Sequence, residues 1–248
     1  ECLNRVGLSS GIEISSMADI PSGSGLGSSS TYTVGLLNSL YNLKRDYFSL
    51  QDLAEEACKI EIDILKKPMG KQDQYLAAFG GFLVMDINKD GVVNVSRANA
   101  SASTLDGLNR NLLMFYTGEN RLATSILADQ DKATEKNEEK VVESLHYIKE
   151  SGYKILEMIE TGNITDLGLM FDKHWEYKKR MSSGVSNPHF DQIYELAKNN
   201  GAIGGKISGA GGGGFFTFYC EEKQELLRKS MAEAGLRELR FDFDFEGT

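Results

Sequence analysis

Proline, cysteine and histidine are scarce in this chain, three of each among 248 residues, and each scarcity excludes something. Cys2, Cys58 and Cys220 are odd in number and far apart, with no CxxC or Cys/His spacing, so neither a disulfide framework nor a zinc site is expected. A reducing cytoplasm is the expected compartment. Pro21, Pro68 and Pro188 mark no Ser/Pro-rich linker. No apolar run approaches the ~18 residues that a membrane span needs, and nothing at the N-terminus reads as a signal peptide. Positive charge is also in deficit. Lys and Arg number 27 against 36 Asp and Glu, a net charge of −9, which argues against a nucleic-acid or anionic-membrane partner. A small anionic substrate needs only a local positive pocket and stays open. With 41% hydrophobic residues the chain can build a core without metals or cross-links.

Glycine is plentiful, and it is concentrated in two places, 23–27 and 201–214. Such enrichment marks backbone that turns sharply or approaches something closely. Around these loops the periodicity predicts a strand over 11–16, a helix over 30–43 with Val34, Leu37 and Tyr41 on one face, and a second helix capped by Ser49. That second helix buries Leu53, Ala57, Ile60 and Ile64 and ends at Lys66-Lys67-Pro68. Strands are expected over 81–86 and 91–95, joined by Lys89-Asp90-Gly91, and over 112–116. A broken helical stretch over 123–159 follows, then helices over 165–181 and 188–198. The end reads as strand, glycine loop, strand 215–220, helix 222–234 and strand 237–245. Interleaving without a regular βαβ rhythm predicts an α+β protein, with a boundary near 100–110.

The first loop, Pro21-Ser22-Gly23-Ser24-Gly25-Leu26-Gly27-Ser28-Ser29-Ser30, sits between the expected strand and helix. Glycines that let backbone wrap an anion, ahead of free helix N–H groups, make a phosphate cradle. Ser28 and Ser29 add hydroxyls able to reach a phosphate oxygen or a magnesium ion. A P-loop would need Lys after the last glycine, and a dinucleotide fingerprint would need glycine where Ser28 stands. Kinase-type His-Arg-Asp and Asp-Phe-Gly signatures do not occur. Downstream, Glu61 lies on the shoulder of the second helix, where a carboxylate is half buried, and Asp73 in a polar loop. Phosphoryl transfer needs a magnesium ligand and a group that accepts the acceptor's proton; Glu61 could be the first and Asp73 the second. Read alone, each is more readily a solvated surface acid, since spacing by itself is weak evidence.

The second loop runs from Gly204 to Gly214 and precedes an apolar strand, a pattern of backbone passing close beneath another loop or a ligand. Lys206 within it could supply positive charge to a phosphate, or stand on the surface as an ordinary lysine.

Two glycine loops with an acid pair between them resemble the GHMP small-molecule kinases. Residues 21–29 match the family's Pro-x-x-x-Gly-Leu-Gly-Ser-Ser motif, and 209–214 match its Gly-Ala-Gly-x-Gly-Gly motif. Within the family the likeness is greatest to the sugar-1-kinases of the D-glycero-D-manno-heptose 7-phosphate kinase type. It is carried by Gln72-Asp73-Gln74-Tyr75, Phe79-Gly80-Gly81-Phe82, Phe115-Tyr116-Thr117-Gly118, His174-Trp175-Glu176-Tyr177-Lys178-Lys179 and Gly205-Lys206-Ile207-Ser208-Gly209-Ala210.

The resemblance implies an α+β GHMP kinase fold in two sub-domains. These are an N-terminal domain over 1–105 with a left-handed β-α-β unit, here incomplete and lacking its first segment, and a ferredoxin-like domain over 106–248. It implies ATP and Mg²⁺ as cofactors. Gly23, Ser24, Gly25, Leu26, Gly27, Ser28 and Ser29 would hold the ATP phosphates, and Ser29 with Glu61 the metal. Asp73 would be the catalytic base, and Gly209, Ala210, Gly211 and Gly212 would support the phosphate loop. Arg121, Lys178, Lys179 and Lys206 are candidates for a sugar phosphate. The reaction implied is phosphorylation of the anomeric hydroxyl of a heptose 7-phosphate. Fucose, galactose or another alcohol is the alternative acceptor, and a non-catalytic nucleotide- or sugar-binding module the alternative class. Family members open with a further motif bearing a basic residue and a glycine-rich turn. None precedes Pro21 here, so a truncated or processed chain is expected.

Overall fold

The computed structural model describes every residue except 22, 120–122 and 137, and the side chains of 123–125 are likewise outside it. The chain folds as two compact units. The first takes Glu1–Ser22, Gly27–Arg97 and Phe243–Thr248; the second takes Gly23–Leu26 and Ala98–Asp242.

The first unit opens with a short helix, α1 (Cys2–Val6), and a long one, α2 (Ser28–Lys44). Val34, Leu37 and Tyr41 recur at helical spacing and are buried, and Arg45 ends α2 in the left-handed region at φ 62°. Ser49 caps α3 (Leu50–Cys58): its hydroxyl accepts the Asp52 N–H at 3.1 Å and donates to the Asp52 carboxylate. Instead of ending, α3 continues as a π-helical turn, Lys59–Ile64. Then come α4 (Gln72–Phe79) and a hairpin of β1 (Leu83–Ile87) and β2 (Val93–Arg97), whose turn places Gly91 at φ 81°. Leu37, Leu53, Ala57, Ile60, Tyr75 and Ala78 make the core that fixes α2, α3 and α4 on one another.

The second unit contains α5 (Ala102–Asn111), β3 (Leu112–Tyr116), four helices, a pair of strands, and a last helix and strand. The four helices are α6 (Ala123–Glu135), α7 (Glu139–Thr161), α8 (Leu167–Met181) and α9 (Pro188–Asn199). The later elements are β4 (Gly204–Ile207), β5 (Phe215–Tyr219), α10 (Gln224–Glu233) and β6 (Arg237–Leu239). The sheet order is β4-β5-β3-β6, every pair antiparallel, which is the order of a ferredoxin-like β-α-β-β-α-β unit. Phe115 faces Phe216 across β3 and β5, and Trp175 and Phe190 each meet Phe216 edge-on at 6.0 Å. This aromatic core holds α8 and α9 on the sheet.

The α+β class and the interleaved element order agree with the sequence expectation, and three local expectations are corrected. Residues 11–16 form no strand: no described strand pairs with them, and Ile14 is exposed. The last strand stops at Leu239 instead of running to 245, because Phe243 and Phe245 leave the sheet to pack on Phe82 of the first unit. The end of the second helix winds as a π turn, which advances less per residue than an α-helix. Ile64 is therefore carried outward and Glu61, expected half buried, is buried completely. No helix among the described residues is long and apolar enough to cross a membrane.

Candidate active site

In the first unit the site is built on the N-terminus of α2. Gly27 enters it at φ 68°, a left-handed conformation that suits glycine, and Thr31 closes the first turn on the Gly27 carbonyl at 2.9 Å. The N–H groups ahead of that bond have no partner within the helix and carry the positive end of its dipole. Ser29 is exposed there and Ser30 is buried.

The π turn aims Glu61 at these serines. Ser29 Oγ donates to Glu61 Oε1 at 2.5 Å, while Ser30 Oγ and Gln74 Nε2 each donate to Oε2 at 2.7 Å. Lys67 Nζ lies 2.8 Å from Glu61 Oε1 and 2.6 Å from Ser29 Oγ. Burial alone would raise the Glu61 carboxyl; the hydrogen bonds from Lys67, Ser29, Ser30 and Gln74 outweigh it and hold the group below the usual range. Ser29 Oγ and Glu61 Oε1 are hard oxygen donors beside each other, a pair that suits Mg²⁺, which takes few protein ligands and completes its shell with water and phosphate. The ammonium seated on both oxygens marks the spot as one that accepts positive charge. No cluster of three His, Cys, Asp or Glu able to hold a metal occurs among the described residues.

Asp73 is not in a loop as the sequence suggested but in the first turn of α4, where the helix N-terminus favours a carboxylate. A methyl group added to Gly27 would stand 3.1 Å from its Cγ, so the carboxylate lies against the backbone of the first glycine loop. Burial pushes its pKa up, opposed by a hydrogen bond from Gln72 and reinforced by the charge of Glu61. A half-buried, weakly hydrogen-bonded carboxylate is suited to taking up a proton.

In the second unit the two glycine loops lie backbone to backbone. A Cβ on Gly25 would stand 2.8 Å from the Ser208 carbonyl oxygen, one on Gly209 2.7 Å from Gly25 Cα, and one on Gly214 2.0 Å from the Ser24 carbonyl oxygen. Gly212 N–H donates to the Val185 carbonyl, and Gly214 N–H to that of Glu119. Gly211 packs against Val185, and Ala210 rests on the core. The side chain of Ser24 is buried, and its hydroxyl has no partner among the described residues. Leu26 and Ser28 are half buried.

Beside the second loop, α8 presents Phe171, His174 and Lys178 at i, i+3 and i+7, one face of the helix. Lys178 Nζ donates to the Ile207 carbonyl at 3.0 Å and to that of Gly209. Lys206 Nζ stands 5.8 Å from the Phe171 ring, and it makes no hydrogen bond or ion pair among the described residues. Burial, then the neighbouring charge of Lys206, lowers Lys178 to about 7. Burial lowers Lys206 too, and burial with both lysines pushes His174 down to about 3. A pair of half-buried cations with no carboxylate on either is a place for an anion. Lys179, by contrast, is engaged by Glu176 at 2.7 Å and Asp191 at 3.9 Å. Arg121 lies outside the described residues.

Sequence reasoning missed Lys67, Ser30, Gln74 and His174. Ser30 follows directly after the first motif, and Gln74 and His174 stand inside segments that carry the resemblance, so all three could have been weighed with it. Lys67 reads from the sequence only as part of a helix stop.

The chain matches the GHMP kinases N terminal domain over residues 1–81 and the GHMP kinases C terminal domain over residues 155–236. It is 36% identical over 235 residues to a D-glycero-alpha-D-manno-heptose 7-phosphate kinase of Campylobacter jejuni, covering 93% of this chain and 68% of that one. A galactokinase of Pyrococcus furiosus is 28% identical, covering 92% of this chain and 69% of its own length. Among solved structures, a D-glycero-D-manno-heptose 1-phosphate kinase from Bacteroides thetaiotaomicron superposes with a TM-score of 0.72 at 26% identity. That match covers 92% of this chain, which spans 64% of the other.

Proposed function

Because this chain belongs to the GHMP kinase family, whose relatives named above are kinases of sugars and sugar phosphates, we propose that it is itself a sugar kinase. It transfers the γ-phosphoryl group of ATP to the anomeric hydroxyl of a sugar phosphate, D-glycero-D-manno-heptose 7-phosphate being the acceptor. The observation that carries the reading is the alignment of three groups on one loop end: Ser29 bonded to Glu61, and Asp73 against Gly27.

Gly23 to Ser29 bind the triphosphate through backbone N–H groups and the α2 dipole. Ser29 and Glu61 would hold Mg²⁺, which would neutralise charge on the phosphoryl oxygens. Gly209 and Gly214 back the first loop and fix its conformation, while Gly211 and Gly212 anchor the second loop on Val185. Asp73 orients the acceptor hydroxyl and takes its proton. Lys178 and Lys206 receive the phosphate that the acceptor already carries. The choice of a heptose phosphate over galactose or fucose rests on the Campylobacter relative.

The test is ADP release with Mg-ATP and a panel of heptose 7-phosphate, free heptose, galactose, fucose and mevalonate, with phosphorus NMR on products. A 1,7-bisphosphate from the heptose 7-phosphate alone is expected. Turnover of galactose or fucose in its place would overturn the acceptor, and ATP binding with no turnover of any sugar would favour a binding module.

A further inference from the structure

The Ser29–Glu61 pair already holds a cation, and it belongs to the protein. Every lone-pair direction of the Glu61 carboxylate that faces the protein is taken. Oε2 accepts from Ser30 and Gln74, and Oε1 from Ser29 and Lys67. Lys67 Nζ also donates to Ser29 Oγ at 2.6 Å, so one ammonium bridges the two oxygens proposed as metal ligands. Among the described residues whose side chains bond the Glu61 carboxylate, only Lys67 is charged; the others are two hydroxyls and an amide. A carboxylate buried completely without a counter-charge is costly, and the Lys67 ammonium is the counter-charge that lies on Glu61, at 2.8 Å.

The tether is local. Lys67 N–H donates to the carbonyl of Glu61 itself at 3.0 Å, and Lys66 turns the chain back at φ 53°. The Lys67 side chain nevertheless stays 34% exposed, so it can withdraw into solvent without unpacking the core. A magnesium ion approaches oxygen to about 2.0–2.1 Å and needs the lone pairs that the ammonium now occupies, so the two cations exclude each other.

We infer that Lys67 is an internal, tethered cation that preforms the Ser29–Glu61 pair and that a divalent ion must displace to bind. Lys67 thereby sets the metal concentration at which the site fills. The inference rests on the assignment of Ser29 and Glu61 to the metal, and its test separates the two.

Mn²⁺ binding to the 248-residue chain, without nucleotide, is measured by electron paramagnetic resonance of the free ion for the unaltered chain, Lys67→Met, Lys67→Gln, Lys67→Arg and Glu61→Gln. Circular dichroism and thermal midpoints establish that each is folded. Removing the competitor lifts the fraction of site open to metal, so Lys67→Met and Lys67→Gln bind Mn²⁺ roughly tenfold more tightly. Lys67→Arg keeps the weaker affinity of the unaltered chain. Mg²⁺ also raises the thermal midpoint of Lys67→Met more than that of the unaltered chain. Equal or weaker binding by Lys67→Met, including no binding by either protein, overturns the inference. If Glu61→Gln leaves Mn²⁺ binding intact, the metal assignment itself fails and the inference with it. Loss in Glu61→Gln with no gain in Lys67→Met leaves the assignment standing and removes Lys67's role alone.

Discussion

Asp73 and Gly27 touch: the carboxylate of one lies where the other would carry a side chain, and a Cβ at Gly27 would stand 3.1 Å from Asp73 Cγ and 3.3 Å from Oδ2. Gly27 also sits at φ 68°, where an L-residue is strained. Gly27→Ala therefore costs about 1 kcal/mol of stability and displaces the base by a few tenths of an ångström. Misplacing a proton acceptor costs far more in rate than in folding, so kcat should fall at least about tenfold while the thermal midpoint drops only a few degrees. Steady-state kinetics and calorimetry on the same preparation check the pair of values.

Asp73→Asn should act in opposite senses on activity and stability. The asparagine keeps the shape but cannot accept the proton, so turnover falls roughly 10²-fold or more. Asp73 is held above its ordinary range by burial, so the folded state binds its proton more tightly than the unfolded chain does. The stability it contributes is complete below the unfolded pKa and is lost as pH rises through the folded one. At pH 7 the charged form is a burden that asparagine removes, and the midpoint should hold or rise by about 2 °C. The same shift moves the acid limb of kcat/KM to higher pH than an ordinary aspartate gives. A variant with near-full activity would overturn Asp73 as the base.

What the sequence disclosed and what it withheld divide along a physical line. The glycine loops, the helix after Gly27 and the Ser49 cap depend on residues within a few positions of each other, and they are legible. Pairing over long separations is not. Lys67 reads as a helix stop until Ser29, 38 residues away, is seen bonded to it. Glu61 reads as half buried on the 100° spacing of an α-helix, but the turn that carries it winds as a π-helix. The alternating Phe241-Asp242-Phe243-Asp244-Phe245 has the period of a strand, yet Phe243 and Phe245 pack on Phe82 and leave the sheet. Periodicity reports which residues seek a core, and it is silent on which core.

Gly214 and Gly152 should respond in opposite directions to the same substitution. Gly214 has φ 90°, and a methyl there would meet the Ser24 carbonyl oxygen at 2.0 Å, backbone against backbone with no side chain to yield. Gly214→Ala should cost about 3 kcal/mol or more and push the first glycine loop out of place, weakening ATP binding with it. Gly152 lies inside α7 with nothing within 4 Å of its Cβ position, so Gly152→Ala should stabilise by about 0.5–1 kcal/mol. Denaturant midpoints measure both; a neutral Gly214→Ala would refute the close contact of the two loops.

Lys206 is the cleaner probe of the acceptor's phosphate, because Lys178 also ties down the Ile207 and Gly209 carbonyls whereas the Lys206 ammonium has no hydrogen bond or ion pair among the described residues. Lys206→Gln removes one of two cations from a desolvated pair, and a charge-assisted contact to a phosphate is worth about 1.5–3 kcal/mol. KM for a phosphorylated acceptor should therefore rise at least about tenfold, with KM for ATP within about twofold and turnover of an unphosphorylated sugar unchanged. Folding should not suffer, since burial disfavours the Lys206 charge and glutamine carries none. pH supplies an independent reading. Lys178 is lowered to about 7, so it is charged below that value and loses its proton above it, and KM for the sugar phosphate should climb between pH 6.5 and 8.5. If KM for ATP rises in place of KM for the acceptor, these lysines hold the nucleotide's phosphates, and the acceptor's phosphate must be bound by other residues.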